Sequence, residues 1–169
     1  MRTKDVIQKA KDFCIENSVT DYPVNIVGLC EQRNISVFET YLPEDVSGFI
    51  VIQKDNYKHY GTNRVIVVNL SDSASRRRFT IAHELAHFIL HRKEEDPLYA
   101  HRDAGQNSRI EQEANIFASN ILMPEDLVLD AIEHSEYSDL NIISPEYIAQ
   151  AFAVSRSAAE VRLKQLGIR

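Results

Sequence analysis

Two histidines and a glutamate in the stretch "RRRFTIAHELAHFILH", residues 76–91, have the types and spacing of a metal site. His83 and His87 are four residues apart, so an α-helix would place both imidazoles on one face, one turn from each other. Zinc accepts two neutral imidazole nitrogens in its tetrahedral shell. Glu84 follows the first histidine, where its carboxylate would lie beside the ion and accept a proton from a metal-activated water. The motif predicts a zinc hydrolase, against the alternative of a core helix with incidental histidines.

A catalytic zinc site needs a third protein ligand, and "RIEQEANIFASNILMP", residues 109–124, offers two acids. Glu111 and Glu113 are about 200° apart around a helix, so only one of them can face the ion. Glu111 flanks the apolar face, and Asn115 follows one turn later, where its amide oxygen could hold a ligating histidine's other ring nitrogen. We choose Glu111 as the ligand. The alternative is a capping box, in which Glu111 bonds back to the backbone of Ser108.

The segment between these two helices is expected to be a long loop. Residues 92–107, "RKEEDPLYAHRDAGQN", have no periodicity, and loops of this length in compact domains are usually functional or mobile. An oxyanion would need a donor besides the metal. Tyr99, His101 and Arg102 are the candidate oxyanion or substrate contacts, and a solvated loop is the alternative.

Hydrophobic periodicity predicts an α+β fold in which a small antiparallel sheet packs against helices. Runs rich in β-branched and aromatic residues predict strands at 35–42, 47–53 and 64–70. Helical spacing predicts helices over 4–17, 25–33, about 108–122 and 124–134, besides the helix that carries H-E-x-x-H.

The C-terminal residues resemble the two-helix core of a helix-turn-helix. A polar connector at 134–141 is the best boundary, dividing a domain with the metal-site motif at 1–134 from a helical segment at 135–169. The segment's apolar positions are Ile148, Ala149, Phe152, Val154, Ala158, Val161 and Leu163, and Arg156, Arg162, Lys164 and Arg169 give it a positive tilt. The second helix would read DNA. Packing against the first domain or docking of a substrate is favoured instead, because no third helix is predicted before the pair and the whole chain is acidic.

Composition narrows the class of protein. The 169 residues carry a formal net charge of -6, which argues against a protein whose main work is binding nucleic-acid phosphates. The N-terminus has no apolar run suited to a signal peptide, and the stretch at 64–70 is too short to span a bilayer. Cys14 and Cys30 lack metal-ligand spacing and are expected to be buried free thiols. We expect a cytosolic protein with no membrane association.

The two helical motifs resemble those of the ImmA/IrrE family of gluzincin-like zinc metallopeptidases. Members pair R-F-T-x-A-H-E-x-x-H with E-x-x-A-N-x-F-A-x-x-L-L-M-P, and this chain has "RRRFTIAHELAHFILH" and "EQEANIFASNILMP". The weaker similarity of "YPVNIVGLCEQRNISV" and "SGFIV" extends the resemblance over nearly the whole chain. Asn120 and Ile121 depart from the usual aliphatic or small pair, away from the metal ligands.

The resemblance implies a zincin-like fold with His83, His87 and Glu111 as zinc ligands, Glu84 as the catalytic acid/base, and Asn115 on the family's asparagine. It also implies the substrate, a helix-turn-helix repressor of the XRE type, which the family cleaves and thereby removes from its operator. Manganese is the alternative metal, although two nitrogens and a carboxylate suit zinc. The competing hypothesis is a metal-containing anti-repressor that binds its regulator without cutting it; the presence of Glu84 favours the enzyme. Direct DNA binding is the weakest of the three.

Overall fold

The computed structural model describes residues 1–52, 61–91, 108–135 and 143–168. Within these ranges the chain forms a mixed α+β fold of seven helices and three strands. Their order is α1 Thr3–Glu16, α2 Ile26–Glu31, β1 Ser36–Thr40, β2 Gly48–Ile52, β3 Arg64–Asn69, α3 Ala74–Leu90, α4 Ser108–Leu122, α5 Glu125–Glu133, α6 Pro145–Phe152 and α7 Arg156–Gln165. The expected helices and strands are therefore confirmed. The loop expected at 92–107 lies outside the described residues.

The sheet is mixed, so the expectation of an antiparallel sheet was wrong for one of its two strand pairs. The strand order is β1-β3-β2; β2 pairs antiparallel with β3, whereas β1 pairs parallel with it. The most buried strand, β3, takes the central place, where both of its edges are hydrogen-bonded. β1 and β2 follow each other in the chain but do not form a hairpin, because β3 lies between them in the sheet.

The motif helix α3 packs against β2, β3 and α4. Its buried apolar face consists of Ile81, Ala82, Leu85 and Ala86. The close approach of α3 to β2 depends on Gly48, since a Cβ atom there would lie 2.6 Å from both Cγ2 of Thr80 and the carbonyl oxygen of Val67. This packing fixes which face of α3 remains for the histidines.

Three arginines at the start of α3 join it to its neighbours. Arg76 Nε donates to Ser47 Oγ at 3.0 Å, Arg77 Nε donates to Glu39 at 3.1 Å, and an Arg78 guanidinium nitrogen donates to the Val24 carbonyl at 2.8 Å. These contacts give the run a structural role in orienting the helix.

Helix α4 links the motif helix to the rest of the core. Phe117 is fully buried, and its ring meets that of Phe13 from α1 edge-on, with centroids 5.5 Å apart. Apolar residues of α1, α2, the sheet and α3–α7 form one continuous cluster. Because α3 and α4 both insert into this cluster, the side chains between them are held by a packed framework.

The two C-terminal helices pack on each other and contribute to the same cluster. One assignment in this segment was wrong: Val161 is 54% exposed, while Arg162 is 4% exposed and donates through Nε to the Met123 carbonyl at 2.9 Å. The buried face of α7 follows Ala159, Arg162 and Leu163, at i, i+3 and i+4, which places Val161 on the opposite side. Arg162 is therefore unavailable to an outer partner.

Among the described helices, none combines the length and apolar character that a membrane crossing requires.

Candidate metal centre

Three side chains from α3 and α4 converge on one point. The Nε2 atoms of His83 and His87 are 2.9 Å apart, and the two carboxylate oxygens of Glu111 lie 3.2 Å from the first and 3.3 Å from the second. The His87 side chain is fully buried, whereas those of His83 and Glu111 are 14% and 24% exposed. The two histidines share one face of α3 because they are one turn apart, and α4 presents the carboxylate opposite them.

These distances match the requirements of a tetrahedral ion. Zinc–nitrogen and zinc–oxygen bonds of about 2.0–2.2 Å put neighbouring ligand atoms roughly 3.3 Å apart. The separations of 2.9, 3.2 and 3.3 Å are close to that value, and each of the three residues offers a ligand atom to the same position. Two imidazole nitrogens and one carboxylate are a donor set that a divalent transition metal accepts. The residues present therefore fit a metal ion.

Asn115 lies behind the first histidine. Its Oδ1 atom is 2.9 Å from Nδ1 of His83. An amide oxygen only accepts, so Nδ1 of His83 carries the hydrogen and its Nε2 atom keeps a lone pair directed at the metal position. The structure thus places Asn115 where helical spacing predicted it, one turn beyond Glu111.

A second chain of contacts, which the sequence did not reveal, lies behind His87. Nδ1 of His87 is 3.2 Å from Nδ1 of His91, and Nε2 of His91 is 3.1 Å from Oε2 of Glu113. The signal available was a further histidine at i+4 from His87, but its partner on α4 depends on how the two helices cross.

Glu113 gathers three donors. The Met1 amine, His91 and Arg109 all contact its carboxylate, with Arg109 Nε at 3.1 Å, and hydrogen bonds from these groups lower the pKa of Glu113 to about 2. These partners come from α3, from one turn earlier on α4 and from the first residue of the chain.

Glu84 lies beside the three converging side chains, but on a different face of α3 from the two histidines. It is 3% exposed, and among the residues that the structure describes its buried Oε2 atom has no hydrogen-bond partner. Burial raises the pKa of its carboxyl to about 8, the charge of Glu111 adds to this rise, and a backbone hydrogen bond from Ile50 opposes it. A desolvated carboxyl beside a potential metal site is a strong candidate for proton transfer.

The site opens into a cleft of about 630 Å³. His83, Glu84, Glu111 and Asn115 line one side, and residues 42–49 contribute the other. Asn69, which is 2% exposed, holds this second wall by bonding to the backbone of residues 42, 43 and 46. The role of Asn69 was not predicted, because its only signal in the sequence is a polar residue at the end of an apolar strand.

The three proposed oxyanion or substrate contacts, Tyr99, His101 and Arg102, lie outside the described residues.

Comparison with known proteins gives a family match. Residues 30–164 match the model of a peptidase family, M78, described as the IrrE N-terminal-like domain. Metallopeptidase ImmA of Bacillus subtilis is 21% identical over 143 residues, which are 85% of this chain and 77% of that protein. Radiation response metalloprotease IrrE of Deinococcus radiodurans is 37% identical over 75 residues, 42% of this chain and 23% of that protein.

Two further proteins are similar to this chain, which covers less than two thirds of the length of each. A Bacillus phage phi105 protein named "Uncharacterized immunity region protein 2" is 31% identical over 110 residues, 65% of this chain and 65% of its own length. A Mycobacterium tuberculosis transcriptional regulator of solved structure matches with a TM-score of 0.59 and 18% identity, over 95% of this chain and 46% of that one. The structural match shows a shared fold.

Proposed function

Since this chain belongs to the ImmA/IrrE family of metallopeptidases, we propose that it is a zinc-dependent endopeptidase that cleaves and inactivates a helix-turn-helix transcriptional repressor. The observation that carries the hydrolase proposal is the position of Glu84. Its buried carboxyl adjoins three converging ligand atoms and lines the cleft that they open into. A purely structural metal site has no need of such a carboxyl.

We assign His83, His87 and Glu111 as the metal ligands. Zinc is the favoured ion because two imidazoles and a carboxylate leave one tetrahedral position open for chemistry, and manganese is the alternative. Asn115 holds His83 by the hydrogen bond to its Nδ1 atom. Glu111 acts as a ligand rather than a helix cap, since its two oxygens lie 3.2 and 3.3 Å from the two Nε2 atoms.

Glu84 is the acid/base of the reaction. A bound zinc ion would supply Lewis acidity, polarising the scissile carbonyl and activating water. Glu84 takes a proton from the attacking water on a carboxylate oxygen and returns it to the leaving amine. Burial raises the pKa of this carboxyl in the metal-free protein, which favours its carrying a proton between the two transfers. Burial of the carboxyl excludes competing solvent.

We propose that the cleft binds a polypeptide. The proposed substrate is a protein that regulates transcription. The phage relative is named for an immunity region and a bacterial relative for a radiation response, which supports a regulatory substrate. A DNA-bound repressor of the XRE type places the enzyme in the cytoplasm. Direct DNA binding is not part of the proposal, because the whole chain is acidic and Arg162 is buried in α7.

Two further proposals concern how the substrate is bound. We propose a domain boundary between residues 134 and 135, and that the helix-turn-helix-like segment 135–169 either binds the substrate or packs on the core. Tyr99, His101 and Arg102 remain the proposed donors to a developing oxyanion. Substitution of a residue that acts in this way should lower turnover without changing the zinc content of the protein.

The test is incubation of the purified protein with the helix-turn-helix repressor encoded beside its gene. Wild type and Glu84→Gln are compared, each with zinc and after chelation, and the zinc content of both is measured. Zinc-dependent fragments from wild type alone, at equal zinc content, would support the proposal.

Two results would contradict it. Binding of the repressor by wild type and Glu84→Gln without cleavage by either would favour the non-proteolytic anti-repressor. Equal cleavage by both proteins would remove Glu84 from its role as the acid/base.

A further inference from the structure

His91 lies one turn beyond His87, at the C-terminal end of α3, and bridges that histidine to Glu113 on α4. The His87 Nδ1 to His91 Nδ1 distance is 3.2 Å, and the His91 Nε2 to Glu113 Oε2 distance is 3.1 Å. The side chains of His91 and Glu113 are each 10% exposed, so solvent does not readily substitute for these contacts. The three groups form a chain that ends at Nε2 of His87, one of the three converging atoms.

The direction of hydrogen bonding along this chain follows from the chemistry of its far end. Glu113 accepts a bond from Arg109 Nε on its Oε1 atom, at 3.1 Å, and a carboxylate paired with a guanidinium is an acceptor on its other oxygen as well. Nε2 of His91 must therefore donate. A neutral imidazole has one donor and one acceptor nitrogen, so Nδ1 of His91 accepts. The facing Nδ1 atom of His87 then carries the hydrogen.

We infer that His91 is a positioning residue for the metal centre: with Glu113 behind it, His91 holds His87 in the tautomer whose Nε2 lone pair faces the metal position. Asn115 does the same for His83 by a single amide, whereas His87 is held through two groups. The inference rests on the proposed function, since it assigns His87 as a ligand. His91 itself stays outside the reacting atoms.

The effect of His91 on zinc affinity follows from the free energy needed to fix His87 in one tautomer. An imidazole free to exchange tautomers, or to rotate, must be ordered when the ion binds, whereas His87 is already ordered. Groups that hold a ligating histidine in this way typically change metal affinity by about 10- to 100-fold when they are removed. A purely structural role for His91 would change stability and leave the affinity of the folded protein unaltered.

The test compares two substitutions of His91 with matched controls. His91→Leu removes both ring nitrogens, whereas His91→Gln keeps an acceptor and a donor on one side chain. His134 provides the control, because it also caps the C-terminal end of a helix, α5, but its side chain is 68% exposed and bonds to Asp130. Zinc dissociation constants are measured by competition with a chelating dye, and stability by chemical unfolding of the metal-free proteins.

The expected result is a dissociation constant raised about 10- to 100-fold in His91→Leu and less in His91→Gln, with His134→Leu and His134→Gln unchanged. The order of the variants by zinc affinity is not expected to match their order by unfolding free energy. The inference is overturned if folded His91→Leu binds zinc within twofold of wild type. Should that variant not fold, equal affinities of His91→Gln and wild type would overturn it.

A spectroscopic measurement tests the same point without any metal. In the metal-free protein labelled with ¹⁵N-histidine, ring nitrogen shifts should show His87 as the Nδ1–H tautomer in wild type and as a mixture in the His91 variants. A mixture in wild type would overturn the inference. Failure of wild type to bind zinc, with a single His87 tautomer present, would instead refute the proposed function, while the assignment of the His87 tautomer to its contact with His91 would still hold.

Discussion

The Nδ1 atom of His83 and the Oδ1 atom of Asn115 are 2.9 Å apart, and this bond ties the motif helix α3 to α4 at the edge of the cleft. Its partner residues are 32 positions apart in the chain, so it forms only when the two helices have packed. The orientation of the first histidine is therefore a property of the tertiary structure. The same dependence applies to every contact across the α3–α4 interface.

Substitution of Asn115 by Ala should weaken zinc binding by about 10- to 100-fold, because His83 loses the acceptor that fixes its tautomer. Asn115 is exposed, so unfolding free energy should change little. The measurement is a zinc dissociation constant by dye competition. Gln112→Ala, at an exposed amide in the same helix, is the control and should leave affinity unchanged. Equal affinities for both variants would contradict the role of Asn115.

Glu111→Gln should remove the stabilisation that zinc gives to the folded protein. A ligand that binds only the native state adds about 2.7 kcal/mol to the unfolding free energy at a concentration 100 times its dissociation constant. Unfolding with and without zinc measures this difference. Glu133→Gln, at an exposed position of α5, should retain the full effect. A zinc-dependent gain in Glu111→Gln equal to that of wild type would remove Glu111 from the ligand set.

The buried Glu84 carboxyl predicts a pH dependence of stability in the metal-free protein. Its pKa is raised by burial to about 8, from 4.5, so between these pH values the folded state keeps a proton that the unfolded state has released. Unfolding free energy therefore falls as pH rises through this window, with a slope of up to about 1.4 kcal/mol per pH unit.

Glu84→Gln should abolish the fall of unfolding free energy with pH that the Glu84 carboxyl causes. The variant is expected to gain stability relative to wild type as pH rises from 4.5 toward 8, with the difference levelling off above that range. Urea unfolding at several pH values, in the presence of a chelator, measures it. Comparing the two proteins cancels the titration of the histidines. A difference independent of pH would show that the Glu84 carboxyl titrates normally.

Several parts of this architecture were accessible from the sequence because they depend on local periodicity. The apolar spacing around H-E-x-x-H predicted α3, and a rotation of 200° between Glu111 and Glu113 predicted that only one of these acids could face the metal position. Helix geometry also placed Asn115 beside Glu111. These inferences need one helix at a time, and the sequence contains that information directly.

Other parts depend on which elements meet, and the sequence does not specify this locally. The parallel pairing of β1 with β3 arises because the chain crosses the sheet before β2. The contact of His91 with Glu113 depends on the crossing of α3 and α4. Arg162 was assigned to the surface by its charge, although the phase of α7 buries it against a backbone carbonyl.

Phe117→Ala should destabilise the fold by about 3–5 kcal/mol, because a fully buried ring that packs edge-on against Phe13 would be replaced by a cavity between α1 and α4. Chemical unfolding of the metal-free protein measures the loss. Phe38→Ala, at a ring that is 39% exposed on β1, should cost much less. Equal losses for the two variants would indicate that α4 is not anchored by this aromatic contact.

Asn69→Ala should loosen the cleft wall opposite the metal centre. The buried amide donates to three backbone carbonyls, at residues 42, 43 and 46, and accepts from the backbone N–H groups of Leu42 and Ser71 at 3.3 and 3.0 Å. Loss of this side chain leaves buried groups unsatisfied, at about 1–3 kcal/mol. Hydrogen exchange should accelerate at the amides of residues 42 and 71. Asn25→Ala removes a helix-cap bond to Gly28, so it should lower stability without that local change. Unaltered exchange at both amides in Asn69→Ala would mean that the wall is held by other contacts.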